Sequence, residues 1–426
     1  MPANYDGLGA QLMGGSTLRV QVNHENSDAT ISEVNLDLAA FQTAINNVIN
    51  TGITGGVKFV DSARQAYDRW SADGGTSWTD TSNTSNTSFS RFCSGQSYVA
   101  NMFGSGRGFA DGIYITGEEV GGGSLFGIDL ANRDFYELSG VSGSAPGGLG
   151  GMPFDPWENA ALLDTGETDH IALLLSPDGG TRRMKLYIGE KGKDASGDAS
   201  TSFLARNGLA YGSHYYLNDS LPSIGDPSTD GFFDTTIGGA LNSSKLEDVD
   251  TSLADPTKVV LGDQDSGLFT FDFNLDFQSG SFDAGQSDFS ITKIQNDNSS
   301  GSGSFNNPDN VDWTDATTLD GTTYADGLIF VNEDSGEGEI WMMEPDGSGL
   351  VKIGDTIASI ESTGILDISA LVGYNPGSVL LTNNQGSNSS LSVLINPAAT
   401  PIPEPSSLLL VALGLFGMGY CRRTQT

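Results

Sequence analysis

The sequence predicts an all-β protein, and three observations carry that prediction. Glycine is abundant, at 57 of 426 residues, alongside the Asp, Asn, Ser and Thr that supply tight turns. Long runs of helix formers are few. A β-rich run that ends in acidic or amide residues and then turns recurs six times along the chain, which is the mark of a repeat fold.

The copies are Leu18–Glu25, Ile113–Glu119, Leu186–Lys191, Val259–Asp265, Leu328–Asp334 and Ser378–Gln385. From Glu118 to Glu190 to Asp263 to Glu333 the steps are 72, 73 and 70 residues. A near-constant period with a strand in the same phase predicts the blades of a propeller, each a small antiparallel sheet. Six copies predict a six-bladed β-propeller with long loop insertions. Gly-rich turns within Gly121–Asp129 and Ser335–Trp341 add the hairpin chemistry that such sheets need.

A second element precedes the acidic strand end in four copies: Arg91–Gly95, Pro156–Ala160, Lys245–Val249 and Pro308–Asp312. Innermost propeller strands begin near the axis, so these segments predict a ring of Cys, Glu, Glu and Asp around a central channel. Converging carboxylates raise one another's pKa unless cations neutralise them, so the ring predicts a multi-metal site. A single acid at a strand end ordinarily caps a turn. Glu118, Glu119, Glu158, Glu247 and Glu333 are longer than a turn cap requires.

The balance of 54 acidic to 19 basic residues, a formal charge of −35, repels nucleic acid and anionic lipid and favours cations, calcium first. Much of that charge also suits a solvated exported surface. The three histidines, His24, His170 and His214, argue against a multi-histidine zinc site or histidine acid–base chemistry. Of the two cysteines, Cys421 lies in an apolar tail, so Cys93 is a lone thiol: a small buried hydrophobe or a metal ligand.

The tail reads Pro403-Glu404-Pro405, then an apolar run from Leu408 to Tyr420, then Arg422-Arg423. The run is short for a bilayer span and is flanked by cations that stay on the cytoplasmic side. This order resembles the PEP-CTERM sorting signal. The resemblance implies a short hydrophobic helix, an exosortase-type sorting protease as partner, and export to the cell surface or extracellular matrix with transient anchorage. Membrane contact is expected only through this tail. The chain therefore divides into a propeller domain over 1–397 and a sorting tail over 398–426, and an export signal is expected upstream of Met1.

Taken in order, Asn23-His24-Glu25, Arg91–Gly95, Thr116-Gly117-Glu118-Glu119, the Glu158 segment, Glu247-Asp248 and Glu333-Asp334 resemble the PhoX-type alkaline phosphatases over most of Tyr5–Gln385. That family is a six-bladed propeller with iron and calcium in its axial channel. The resemblance implies Cys93 as an iron-bound thiolate, Glu118, Glu119, Glu158 and Glu247 as bridging or terminal carboxylates, and Asp334 as a further ligand. It also implies Asn23 and Lys245 as phosphate contacts, with Lys245 standing where an Arg is usual. The expected activity is phosphomonoester hydrolysis on a small-molecule substrate. The competing expectation is a non-catalytic, calcium-binding propeller of the extracellular matrix or cell surface, since fold does not imply activity.

Overall fold

The computed structural model describes residues 2–81, 89–180, 182–298, 303–356, 360–386 and 389–402. The Pro-Glu-Pro segment, the apolar run and the C-terminal helix expected there lie outside the described residues. The described chain is mostly β, 47% strand against 6% helix, and has a β-propeller-like fold.

Its sheets repeat one plan, in which antiparallel strands pair in chain order from an inner strand outward, and Arg69–Ser71 adds a parallel strand beside Asp134–Glu137. The first unit runs Tyr5–Met13, Thr17–His24, Thr30–Asp37, Val60–Gln65. Before its last strand comes the helix Leu38–Thr51, capped by the Asp37 side chain on the Ala40 amide and closed by Gly52 in the left-handed region at φ 67°. The second unit begins at Phe92–Tyr98 and the third at Trp157–Leu163. The fourth begins at Leu246–Thr251, and Ser228–Asp234 joins its outer edge to that of the third. The fifth begins at Pro308–Trp313, and the last has three strands, Ser362–Asp367, Val379–Asn384 and Ser390–Ile395.

Each inner strand touches the inner strands of the units before and after it, and that of the last unit touches Tyr5–Met13, so the ring closes. Closure uses side-chain bonds and a backbone bond from the Asn4 amide to the Gly386 carbonyl at 3.4 Å, rather than a shared strand. Thr363 Oγ1 donates to the Tyr5 carbonyl at 2.8 Å, and Asn383 Nδ2 donates to the carbonyl of Asp6.

Apolar side chains fill the spaces between adjacent sheets. In Trp157–Leu163, Ala160 and Leu162 pack toward the second unit while Ala161 and Leu163 pack toward the fourth. Val259 and Leu261 face the third unit, whereas Val260 faces the fifth. Period-2 alternation thus sends neighbours to two different cores, which explains continuous apolar runs such as Ile171–Leu175.

One repeat copy was out of phase. The runs ending at His24, Glu118, Asp263, Glu333 and Asn384 are second strands, but Leu186–Glu190 belongs to the third strand of its unit. The second strand there is His170–Pro177, so the equivalent strand end falls at Asp178. Antiparallel pairing places Glu190 opposite His170, at the start of that strand.

The chain also stays attached past the expected boundary at 397. Ala399 is buried, and the Ile402 amide donates to the Gly373 carbonyl at 2.8 Å. Among the described residues no helix is long and apolar enough to cross a membrane.

Candidate metal centre

The site is built by one local device that recurs at six inner strands among the described residues. Pairing between each inner strand and its neighbour shifts register near the inner strand's start, where it carries one extra residue. Such bulges re-aim side chains. The second residues of these strands are Asp6, Cys93, Glu158, Glu247, Asp309 and Thr363.

The ligand atoms of Asp6, Glu25 and Cys93 lie within 4.8 Å of one another, as do those of Cys93, Glu119 and Glu158, and those of Glu158, Glu247 and Asp309. Cys93 and Glu158 each belong to two of these groups, so the three form one continuous chain of donors. Glu25 and Glu119 come from the segments just after the second strands Thr17–His24 and Ile113–Glu118. Backbone geometry allows this crowding at Gly7: a Cβ there would meet the Cys93 carbonyl at 2.5 Å.

The cluster is electrostatically under load. Burial, then Glu247 and Glu119, push the Glu158 carboxyl well above the usual range. Burial and then Asp178 do the same for Glu247, and burial followed by Glu247 and Glu158 for Asp309. Glu119 rises to about 7 through burial and its contact with Asp178. The Cys93 thiol is raised too, by burial first and then by Glu158 and Asp6, and its Sγ lies 3.1 Å from Glu119 Oε2.

Among the described residues, two cations pair with these acids. Lys245 Nζ reaches Glu247 Oε1 at 2.8 Å and Asp178 Oδ2 at 3.1 Å, and Arg91 reaches Glu119 at 3.4 Å. Burial draws the Lys245 ammonium down, but Glu247 and Asp178 outweigh it and hold the group above its ordinary value. Hydrogen bonds to Glu158 come from the Ser94 amide at 3.1 Å and hydroxyl at 2.7 Å. Gln385 Nε2 donates to Glu25 at 2.6 Å.

Of the residues expected in the metal site, Cys93, Glu119, Glu158 and Glu247 are brought together. Glu118 is not: its carboxylate accepts the Ser90 amide at 2.9 Å and the Ser124 amide at 3.4 Å, so it holds loops in place. Asp334 stands outside the converging donors and accepts from Gln264 at 2.9 Å. Asn23 corrects the expectation of a phosphate contact. It is fully buried, its amide nitrogen donates to the Cys93 and Ser94 carbonyls and to Thr116 Oγ1, and its oxygen accepts from Tyr114. With those bonds made, it fastens the Cys93 segment to the first unit. Lys245 is about one-third exposed beside the acids, at 35% of its side chain.

Sequence reasoning overlooked Asp6 and Glu25 as ligands and missed Asp178 beside Lys245. A signal existed: Tyr5-Asp6 repeats the pattern of Phe92-Cys93, Trp157-Glu158 and Leu246-Glu247, an apolar residue followed by a donor. For Asp178 the repeat phase hid the equivalence.

Residues 401–423 match the PEP-CTERM protein-sorting motif. The motif marks the chain for export and sorting to the cell envelope and implies recognition by exosortase. No curated protein matches the chain. Among solved structures, the chain is similar to AofleA from Arthrobotrys oligospora at 9% identity and a TM-score of 0.38, over 94% of this chain and 87% of that one. It is also similar to a Bacteroides fragilis protein, provisionally described as a 6-phosphogluconolactonase, at 9% identity and a TM-score of 0.37, over 93% and 85% of the two chains.

Proposed function

We propose that this chain is an envelope-sorted, metal-dependent phosphomonoester hydrolase, built as a six-bladed β-propeller with its reaction site at the mouth of the axial channel. The observation that carries the reading is the unbroken series Asp6, Glu25, Cys93, Glu119, Glu158, Glu247 and Asp309, with a lysine beside it.

The donors suit metal ions. Asp6 Oδ1 is buried without a hydrogen-bond partner among the described residues, which is costly for a carboxylate unless a cation takes its lone pair. Cys93 offers the one soft donor and suits iron, whereas Glu158, Glu247 and Asp309 offer hard oxygens and suit calcium. Bound there, such ions would neutralise phosphoryl oxygens and stabilise the charge of the transition state. The chain's own part is to orient. Lys245 lies where it can exchange one carboxylate partner for a phosphate oxygen, as a point charge rather than a bidentate fork. Asn23 keeps Cys93 in place from behind.

The test is metal analysis of the purified full chain, coupled to hydrolysis of p-nitrophenyl phosphate with and without chelator. Chelator-sensitive hydrolysis with stoichiometric metal is expected. A metal-free protein, or hydrolysis indifferent to chelator, overturns the reading. One observation favours a non-catalytic calcium-binding protein of the matrix or surface: Asn23 is spent on internal bonds and Lys245 is held by two carboxylates. Bound calcium with no hydrolysis decides for it.

A further inference from the structure

A separate cavity lies further along the channel, past the ring of second residues, and every inner strand lines it. Its walls carry Asp248, Asp250 and Asp312 together with Gln96, Asn159 and Asn310, and no Lys, Arg or His. All six are buried or half-buried. Part of this polar set is already bonded. Asp248 accepts the Val311 amide at 3.0 Å and Asn159 Nδ2 at 2.5 Å, while Asp250 accepts the Trp313 amide at 2.7 Å.

Two oxygens are left over. Asp312 Oδ2 and Asn159 Oδ1 are buried and have no hydrogen-bond partner among the described residues. Asp312 is 6% exposed and Asn159 3%. A buried carboxylate oxygen and a buried amide oxygen, both unpaired, each carry a desolvation cost that a further donor or a cation removes. Neighbouring acids add to the load: burial and then Asp250 and Asp367 raise the Asp312 carboxyl, and a hydrogen bond from the Asp367 backbone amide offsets only part of that. No sulfur or imidazole is offered, so the donors favour a hard cation over a transition metal.

We propose that this cavity is a second cation site, distinct from the Cys93 cluster, which takes calcium through Asp312 and Asn159 with Asp248 and Asp250 at its wall. Its role is structural. The donors come from the third, fourth and fifth units, so the ion ties three sheets at the axis. The proposal does not depend on hydrolysis at the mouth.

The experiment uses the full chain stripped with EGTA and titrated with calcium alone, counting equivalents bound by equilibrium dialysis. Asp312→Asn is expected to bind one equivalent less than the parent and to keep the calcium bound at the mouth. Cys93→Ser is expected to keep the Asp312-dependent equivalent. Equal stoichiometry in Asp312→Asn and parent overturns the site, as does a parent that binds no calcium. Should Asp312→Asn not fold, long-wavelength anomalous scattering from calcium-soaked parent crystals decides: a peak between Asp312 and Asn159 supports the site, and its absence overturns it. Loss of phosphatase activity with this peak retained sinks only the functional reading.

Discussion

Two buried carboxylate sites in this molecule are handled in opposite ways. Glu33, 1% exposed, sits among three guanidinium groups, Arg64 at 2.8 Å, Arg133 at 3.1 Å and Arg19 at 3.2 Å. The chain supplies its own counter-charge there, and the strands of the first unit are locked to the second through Arg133 and Asp68. At the channel mouth seven donors converge, but only Lys245 and Arg91 pair with them among the described residues. A buried acid that the fold neutralises is part of the scaffold. Acids that the fold gathers and leaves short of positive charge are those for which we propose ions from solution.

The largest expected effect breaks the scaffold side of this contrast. Glu33→Gln leaves the buried Arg19 guanidinium without its carboxylate and takes one of two carboxylate partners from Arg133, and removing one partner of such a buried pair costs about 3–5 kcal/mol. Urea unfolding should show that loss equally with calcium and with EGTA. Dependence on calcium would place Glu33 with the acids of the channel mouth instead.

Glu158→Gln should behave differently in the two media. In calcium at a hundredfold excess over its dissociation constant, the parent gains about 2.7 kcal/mol from the ion, and the variant should lose most of that gain. In EGTA the same change takes away a carboxyl whose ionisation burial, Glu247, Glu119 and Asp6 oppose, so stability should hold or rise. A matching loss in both media would make Glu158 a packing residue.

The pH response sharpens the point further. Glu119 is raised from 4.5 to about 7 and Glu361 from 4.5 to about 8. Each folded-state group therefore holds a proton that the unfolded chain has released, so stability falls as pH rises. The fall should run from near 4.5 through about 8 in chelator, and calcium should flatten it. Thermal melts across that range check the sign, and a Tm that climbs toward pH 8 refutes it.

The smallest effect lies at neither site. Ending the chain after Ile402 keeps the Ile402 to Gly373 bond, so unfolding free energy should change by no more than ~0.5 kcal/mol while envelope sorting is lost. Fractionation and urea unfolding of the truncated protein test both halves.

How much of the site was legible depended on the residue. Cys93, Glu158 and Glu247 follow an apolar residue at the start of similar segments, and that repetition is visible without coordinates. Glu118 and Glu119 are adjacent in sequence yet part company, because Glu118 ends its strand between two loops while Glu119 follows it beside Cys93. Asn23 looked polar and available, but it lies in a second strand covered by its neighbours.

By itself the sequence determined the strand-rich composition, the turns, the separate sorting tail and the presence of an acid-and-thiol ring, because each depends on local pattern and composition. Only the tertiary structure decided that the third repeat is phased at Asp178, that Asp6 and Glu25 join Cys93, and that Asp312 and Asn159 share a cavity below them. Those meetings depend on one-residue bulges and on closure of the last unit against the first. Both are set by packing between segments far apart in the chain, where no local pattern reaches.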